Sequence, residues 1–118
     1  MPNSTSRRIK SNTVKEPKPL TKIQKGNFNE KRTKEYYEKL GYVVETTRRA
    51  KFAGNDYFGL FDHLATSTRD FRLIQTKTNN MPSVKYREKI KALPVPPGVI
   101  KEIVLWKDGV DTPLIYQY

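Results

Sequence analysis

A stretch in the middle of the chain carries the clearest signal for the fold. Residues 58–78 read FGLFDHLATSTRDFRLIQTKT, in which two runs rich in aromatic, aliphatic and β-branched residues flank the polar tetrapeptide 67–70. Such runs favour β-strands, and Ser, Thr and Asp favour the turn that joins them. The sequence therefore predicts a β-hairpin with strands over 58–66 and 71–78.

The position of the turn fixes the register of this hairpin. If the turn is centred between Thr68 and Arg69, Asp62 lies opposite Gln75. Side chains alternate along a strand, so Gln75 and Lys77 share one face and the residue between them points away. Opposed side chains have Cβ atoms about 4.5–5.5 Å apart, so a carboxylate, an amide and an ammonium group would gather in one patch.

This patch of Asp62, Gln75 and Lys77 has two interpretations. Charged side chains are rare inside apolar strands unless they are paired or bind a metal ion, which favours a chemical site. The alternative is an ordinary ion pair between Asp62 and Lys77 on a solvated face of the sheet. The pattern alone leaves both interpretations open.

Further elements are predicted on both sides of the hairpin. Aromatic and aliphatic residues (Phe28, Tyr36, Tyr37 and Leu40) recur at helical spacing over 27–40, and Gly41 then ends the helix. Strands are predicted over 42–47, 99–106 and 113–118, and a second helix over 84–93. The order α-β-β-β-α-β(-β) predicts an α/β (α+β) fold with a central mixed sheet flanked by helices. Three residues of the second helix are expected on its solvated face: Tyr86, Arg87 and Lys89.

The charge balance indicates a polyanionic partner. The 118 residues contain 23 Lys and Arg against 12 Asp and Glu, giving a formal charge of +11 and a pI near 9.9. Such an excess attracts nucleic acid, although a solvated basic face is the alternative. The length is that of one domain.

Composition also excludes several kinds of site. The chain has no cysteine, which excludes disulfides and thiolate metal sites. His63 is its one histidine and is expected to be structural, which disfavours His-rich zinc sites and a His-based triad. No apolar run approaches a membrane span, and residues 1–25 lack the apolar core of a signal peptide, so a cytoplasmic location without membrane contact is expected.

Residues 1–25 are predicted to be a flexible basic arm that precedes a domain over 26–118. The arm has no aromatic residue and carries a single acid, Glu16, against seven basic residues. It is interpreted either as a phosphate-contacting tail or as a solubilising extension. The basic residues are Arg7, Arg8, Lys10, Lys15, Lys18, Lys22 and Lys25.

The same residues resemble the PD-(D/E)xK nuclease superfamily, and more narrowly its archaeal and phage Holliday-junction-resolvase-like branch. Members of that branch carry a glutamate four residues after a glycine in the first helix, as in Gly26 and Glu30. A Gly-x-x-Asp pattern follows, matched by 59–62, and the next strand ends in acid-x-Lys, matched by 75–77. The resemblance implies a restriction-endonuclease-like core.

The resemblance also implies a metal-dependent DNA endonuclease that uses Mg²⁺, with Mn²⁺ as a substitute. Asp62 would anchor the ion, the side chain of Gln75 and the carbonyl of Thr76 would add ligands, and Lys77 would position the attacking water or offset charge on the phosphate. Gln75 departs from the family, in which most members have an acid. Glu30 would compensate for the missing charge as a further metal ligand, unless it only pairs with Lys34 on a solvated face.

A further acid and a group of basic residues are candidates for metal binding and for DNA contact, respectively. Asp56 is either a rival metal ligand or a turn residue beside Gly54 and Asn55. Basic residues of the loop before the second strand, together with one from the arm, are expected to contact DNA phosphates rather than form a generic basic loop. They are Arg48, Arg49, Lys51 and Lys25.

Three functions are compatible with these features. The first is a structure-selective endonuclease for Holliday junctions or other branched DNA, and the family resemblance makes a homodimer the expected state. The second is a nuclease-fold module that has lost catalysis and binds DNA or RNA by charge. The third is a small basic protein of a ribonucleoprotein, which would explain the charge but not the alignment of Asp62, Gln75 and Lys77.

Overall fold

The structure, a computed structural model, describes residues 19–47 and 56–118. Most of the predicted arm, residues 1–18, and most of the predicted basic loop, residues 48–55, lie outside these ranges. The elements are α1 (Lys22–Lys39), β1 (Val43–Thr46), β2 (His63–Thr66), β3 (Phe71–Thr78), α2 (Val84–Ala92), β4 (Val99–Trp106) and β5 (Leu114–Gln117). Their order confirms the predicted α-β-β-β-α-β-β arrangement.

The five strands form one mixed sheet in the order β1-β2-β3-β4-β5. β3 and β4 are parallel and are joined through α2, whereas the other neighbours are antiparallel. A parallel pair needs such a crossover connection, because its second strand must start at the same edge of the sheet as the first. The fold class is therefore the predicted one.

The two helices pack on opposite faces of this sheet. On one face, Ile74 and Val104 belong to the same buried cluster as Tyr37 of α1. On the other face, Leu73 and Ile103 form a cluster with Ile90 of α2. Consecutive residues of β3 and β4 therefore contribute to different layers, which explains why these strands are apolar along most of their length.

The predicted hairpin register is confirmed, since His63 pairs with Ile74 and Leu64 with Leu73. The predicted start of its first strand at residue 58 is wrong, because β2 begins at His63. Phe58 and Gly59 have positive φ angles of 54° and 70°, a backbone conformation that a strand does not contain. Residues 57–61 instead form a tight turn, closed by a bridge between the residues at its two ends.

Helix α1 begins at Lys22, earlier than the predicted residue 27. Thr21 and Gln24 form a capping box, in which each side chain accepts a hydrogen bond from the other residue's backbone N–H. This arrangement satisfies two N–H groups that a helix start would otherwise leave unpaired. Residues 22–25 therefore belong to the helix and not to the arm.

The buried face of α1 is more polar than its aromatic spacing predicts. Asn29, Thr33 and Tyr37 are the buried residues of the helix. Of the four large residues at helical spacing, Tyr37 is fully buried and Tyr36 packs against the same cluster, whereas Phe28 and Leu40 are about half exposed, at 52% and 50%. The spacing of large apolar residues therefore indicated the buried face of the helix only in part.

Hydrogen bonds explain the burial of these polar residues. The indole Nε1 of Trp106 and the hydroxyl of Thr76 donate to Thr33 Oγ1 at 2.8 and 2.9 Å. Asn29 Nδ2 donates to the hydroxyl of Thr78 at 2.8 Å. Because buried polar groups with partners carry little penalty, α1 can turn this face toward β3 and β4.

A buried ion pair lies between β3 and β4. Glu102 is fully buried and accepts from Arg72 at 2.7 Å, from Tyr37 at 2.5 Å and from Gln117 at 2.7 Å. Burial alone would lower the pKa of Arg72, but its hydrogen bonds to Asp70 and Glu102 raise that pKa above the ordinary value. This guanidinium therefore stays charged and compensates the buried carboxylate.

Lys101, the neighbouring residue of β4, directs its side chain to the opposite face of the sheet, on which α2 packs. Its ammonium group donates to the carbonyls of Ile90, Lys91 and Leu93 at 2.7–3.0 Å. These carbonyls belong to the C-terminal turn of α2, where a cation also interacts favourably with the helix dipole. The side chain thus fixes the end of α2 on the sheet.

Within residues 19–47 and 56–118, no helix combines the length and the apolar composition that crossing a membrane requires.

We expect Arg72→Met to lower the free energy of unfolding by about 3 kcal/mol, because it leaves the buried carboxylate of Glu102 without its cation. Urea denaturation followed by circular dichroism measures this loss. Adding Glu102→Gln to the same variant removes the uncompensated charge and should restore part of the stability. A double variant less stable than Arg72→Met alone would contradict the assignment.

Candidate active site

A cleft of about 770 Å³ opens between the start of α1, the C-terminal half of β3 and the start of α2. Four of the predicted site residues line it together: Glu30, Gln75, Thr76 and Lys77. Asp56, the rival metal ligand, lines the same cleft as Glu30, the proposed compensating acid. The remaining lining residues are Lys22, Ile23, Gly26, Asn27, Thr78, Pro82, Ser83 and Tyr86.

Asp62 lies behind the cleft rather than among its lining residues. It is fully buried and stands one residue before β2, so the ladder ends before the predicted pairing with Gln75. Its backbone N–H donates to the carbonyl of Ile74 at 2.8 Å. Its carboxylate Oδ2 accepts from the backbone N–H of Thr76 at 3.1 Å. The carboxylate therefore approaches the backbone of β3 at Thr76.

The side chain of Gln75 points toward α2, as its predicted alternation with Thr76 requires. It is buried, with 8% of its surface exposed. Its Oε1 lies 3.1 Å from the hydroxyl of Tyr86, and its Nε2 lies 3.4 Å from the carbonyl of Thr76. Both ends of the amide thus contact the protein at the floor of the cleft.

Tyr86 was assigned to a solvated face by the sequence, and this assignment is wrong. The residue lines the cleft, and its hydroxyl contacts Gln75 and donates to the carbonyl of Leu60 at 2.6 Å. Tyr86 and Ile90 are four residues apart, so they lie on the same face of α2, and Ile90 is fully buried. This spacing is the signal that could have identified Tyr86 as an inward-facing residue.

The environment of Tyr86 keeps its phenol protonated. Burial, and then the negative charges of Asp56 and Asp62, raise the pKa of Tyr86 to about 12. Burial disfavours the phenolate because it removes the charged form from water, and nearby carboxylates disfavour it by repulsion. A neutral hydroxyl with one hydrogen is therefore present at this position at ordinary pH.

A chain of buried hydroxyl groups supports Thr76 from the α1 side. Thr33 donates its hydrogen to the carbonyl of Asn29, so the Thr76 hydroxyl must donate to Thr33. Thr76 then accepts from Nε2 of His63 at 2.9 Å, and Nδ1 of His63 is hydrogen-bonded to the hydroxyl of Thr46 at 2.9 Å. Together with the full burial of His63, these contacts agree with its expected structural role.

The oxygen atoms at the site have the chemical type that Mg²⁺ prefers, namely carboxylate, amide and carbonyl oxygens. In the part of the chain that the structure describes, no group of three or more acidic or histidine side chains lies close enough together to hold a metal ion. The oxygens near Asp62 include neutral ones, namely the side-chain oxygen of Gln75 and the carbonyl of Thr76, while the acids Glu30 and Asp56 line the same cleft.

The predicted phosphate contacts are only partly within the described residues. Lys25 forms an ion pair with Asp108 at 2.7 Å, and this hydrogen bond holds the pKa of that carboxyl below its ordinary value. Arg48, Arg49 and Lys51 fall in residues 48–55, outside the described residues, so their role stays a prediction. Lys77, in contrast, lines the cleft directly.

No protein-family model and no curated protein sequence matches this chain. Solved structures do match, and one of them is Hjc, a Holliday junction resolvase from the archaeal hyperthermophile Archaeoglobus fulgidus. The two chains are 18% identical, with a TM-score of 0.56 over 79% of this chain and 72% of the other. This chain therefore has a fold similar to that of the resolvase structure. The resolvase-like fold agrees with the element order that the sequence predicted.

We expect the stability of the protein to fall as the pH rises above about 10, the ordinary pKa of tyrosine. The pKa of Tyr86 is raised to about 12 in the folded state, so unfolding is favoured by ionisation between these values. Tyr86→Phe should remove part of this decrease. Urea denaturation at about pH 9 to 11, which brackets the ordinary tyrosine pKa, measures the effect. An unchanged slope in the variant would refute it.

Proposed function

We propose that the protein is a divalent-cation-dependent endonuclease that cuts branched DNA. The observation that carries this proposal is the cleft, in which Glu30, Gln75, Thr76 and Lys77 meet beside the buried Asp62. The fold adds support, because the similar archaeal structure is that of a Holliday junction resolvase. The positive charge of the chain is suited to a DNA substrate.

In this proposal three residues hold Mg²⁺, or Mn²⁺ in its place. Asp62 would provide a carboxylate, Gln75 an amide oxygen and Thr76 a backbone carbonyl. When bound, such a cation lowers the pKa of a coordinated water and stabilises negative charge on the phosphate. The hydrogen bond from the Thr76 N–H to Asp62 fixes the position of the carboxylate relative to the strand backbone.

The other cleft residues would act on the substrate and on the charge balance. Lys77 lies on the same face of β3 as Gln75, where its ammonium group can contact the scissile phosphate and offset charge developing there. Glu30 would supply the second carboxylate that the neutral Gln75 does not. The ion pair with Lys34 remains the alternative for Glu30.

Substrate contacts outside the cleft are assigned by charge. We propose that Arg48, Arg49 and Lys51 contact DNA phosphates, since guanidinium and ammonium groups are the usual partners of phosphate oxygens. Lys25 would have to exchange its partner Asp108 for a phosphate, which an exposed ion pair permits at little cost. Two symmetric cuts in a four-way junction would require a twofold-symmetric homodimer.

The central prediction is that Asp62→Ala and Lys77→Ala each reduce cleavage of a labelled four-way junction by about a hundredfold or more, because each removes charge stabilisation at the phosphate. Cleavage should require Mg²⁺ or Mn²⁺ and stop on addition of a chelator. Lys89→Ala, which removes a lysine from the exposed side of α2, is the matched control and should cut normally. The proposal would be contradicted if the wild-type protein bound the junction without cutting it.

A second prediction concerns Glu30. We expect Glu30→Gln to weaken Mg²⁺ binding by about tenfold, because removing one of two carboxylates lowers the negative charge near the cation. Isothermal titration calorimetry measures the affinity. Glu35→Gln, an exposed glutamate of the same helix, is the control and should leave the affinity unchanged. Equal affinities for the two variants would assign Glu30 to the helix surface.

A second candidate function is a binding module that keeps the fold without the chemistry. The neutral Gln75, and the absence of three clustered acidic or histidine side chains among the described residues, favour it. It predicts no calorimetric response to Mg²⁺ and DNA binding that weakens steeply with salt. Cleavage in the junction assay would eliminate this candidate.

A further inference from the structure

We propose that Tyr86 is a positioning residue that decides which end of the Gln75 amide faces a bound cation. In this inference the amide nitrogen donates to the oxygen of Tyr86, and the amide oxygen turns toward the carbonyl of Thr76. The inference rests on the proposed cation-dependent function of the cleft. It adds a residue to that site and a reason for glutamine at position 75.

The first step concerns the single hydrogen of the Tyr86 hydroxyl. That hydroxyl lies 2.6 Å from the carbonyl oxygen of Leu60 and 3.1 Å from Oε1 of Gln75. One hydrogen serves one of these acceptors, and the shorter contact identifies the carbonyl of Leu60 as the partner. Leu60 is itself buried, so its carbonyl would otherwise lose a bond that water cannot replace.

The second step concerns what remains for Gln75. Because the Tyr86 hydroxyl donates its hydrogen to the carbonyl of Leu60, its oxygen can only accept a hydrogen bond from the amide. The group that can donate to it is the N–H of the amide. The amide instead presents Oε1 to Tyr86, while its Nε2 lies 3.4 Å from the carbonyl of Thr76. That second contact is at the long limit for a hydrogen bond. If the amide reversed, the contact between two oxygens at Tyr86 would be replaced by a hydrogen bond from Nε2 of Gln75 to the Tyr86 oxygen.

The third step is the geometry that reversal creates. Turning the amide by half a turn exchanges its oxygen and nitrogen with almost no change in shape. The amide oxygen would then stand about 3.4 Å from the carbonyl oxygen of Thr76, where Nε2 stands now. Adjacent ligands of an octahedral Mg²⁺ are about 3 Å apart, since each lies 2.0–2.1 Å from the ion. A small adjustment brings both oxygens to that spacing.

The cation and Tyr86 therefore favour the same arrangement of the amide. Without a cation, two oxygens facing each other repel, and the Nε2 contact to Thr76 opposes reversal. If a cation were bound, both oxygens could serve as its ligands and Nε2 would have Tyr86 as its acceptor. We expect the Gln75 amide to reverse when Mg²⁺ binds, with Tyr86 supporting the bound arrangement.

The same contacts explain why an amide, and not a carboxylate, suits position 75. A glutamate would present oxygen atoms to both the Tyr86 lone pair and the Thr76 carbonyl. To donate to a glutamate, the Tyr86 hydroxyl would have to abandon the buried carbonyl of Leu60. Glutamine has a donor for Tyr86 and an acceptor for the cation, so it satisfies both neighbours at once.

The test follows the side-chain NH₂ signals of Gln75 by nuclear magnetic resonance during titration with Mg²⁺ in the absence of DNA. The chain has three glutamines, Gln24, Gln75 and Gln117, so the signals can be assigned from their loss in Gln75→Glu. We expect the Gln75 signals of the wild type to shift and saturate with Mg²⁺. Tyr86→Phe should weaken Mg²⁺ binding by about three- to tenfold, the effect of one net hydrogen bond.

A double-mutant cycle provides the sharper readout. Gln75→Glu should increase Mg²⁺ affinity more in the Tyr86→Phe background than beside Tyr86, because removal of the hydroxyl also removes its conflict with the carboxylate. Tyr116→Phe, which removes the hydroxyl of an exposed tyrosine on β5, is the matched control and should leave affinity and signals unchanged. A purely structural role of Tyr86 would give additive effects in the cycle.

The outcomes separate this inference from the function on which it rests. A wild type without saturable Mg²⁺ binding overturns both the cation-dependent function and the inference. If the wild type binds Mg²⁺ but its Gln75 signals do not move, the inference is overturned while the proposed function stands. The same holds if Tyr86→Phe binds Mg²⁺ with the affinity of the wild type. If Tyr86→Phe loses its fold in a thermal melt, the Gln75 signals of the wild type still decide, since an amide that reverses must shift them.

Discussion

The hydroxyl group of Thr33 ties helix α1 to the centre of the sheet. Its one hydrogen goes to the carbonyl of Asn29, and its oxygen accepts from Thr76 on β3 and from Trp106 on β4. All its bonding capacity is therefore used in a fully buried position, where each lost partner would be costly. This constraint sets the rotation of α1 about its axis, and that rotation turns Glu30 into the cleft.

Thr76 connects the same constraint to the candidate site. Its hydroxyl bonds Thr33 and His63 on one face of β3, its N–H holds the carboxylate of Asp62, and its carbonyl contacts the amide of Gln75. Alternation along the strand then directs Gln75 to the α2 side. One residue thus links the structural network around α1 with the atoms proposed to bind a cation.

Local patterns predicted the parts of the molecule that depend on local forces. The strand over 71–78 and the strand over 99–106 were predicted with their observed ends, because β-branched runs end at turn residues there. The hairpin register followed from the centre of its turn. The start of α1 lies five residues before the predicted residue 27, because Thr21 and Gln24 cap the helix ahead of the apolar residues that recur at helical spacing.

Three features could be predicted from the amino-acid sequence alone: the element order, the alternation that puts Gln75 and Lys77 on one face, and the excess of positive charge. These depend on the identity and spacing of neighbours along the chain. Three others became visible in the folded molecule: Asp62 lies behind the cleft, Tyr86 contacts Gln75 there, and α1 buries a polar face. Each of these results from hydrogen bonds between residues distant in sequence, whose partners no local pattern specifies.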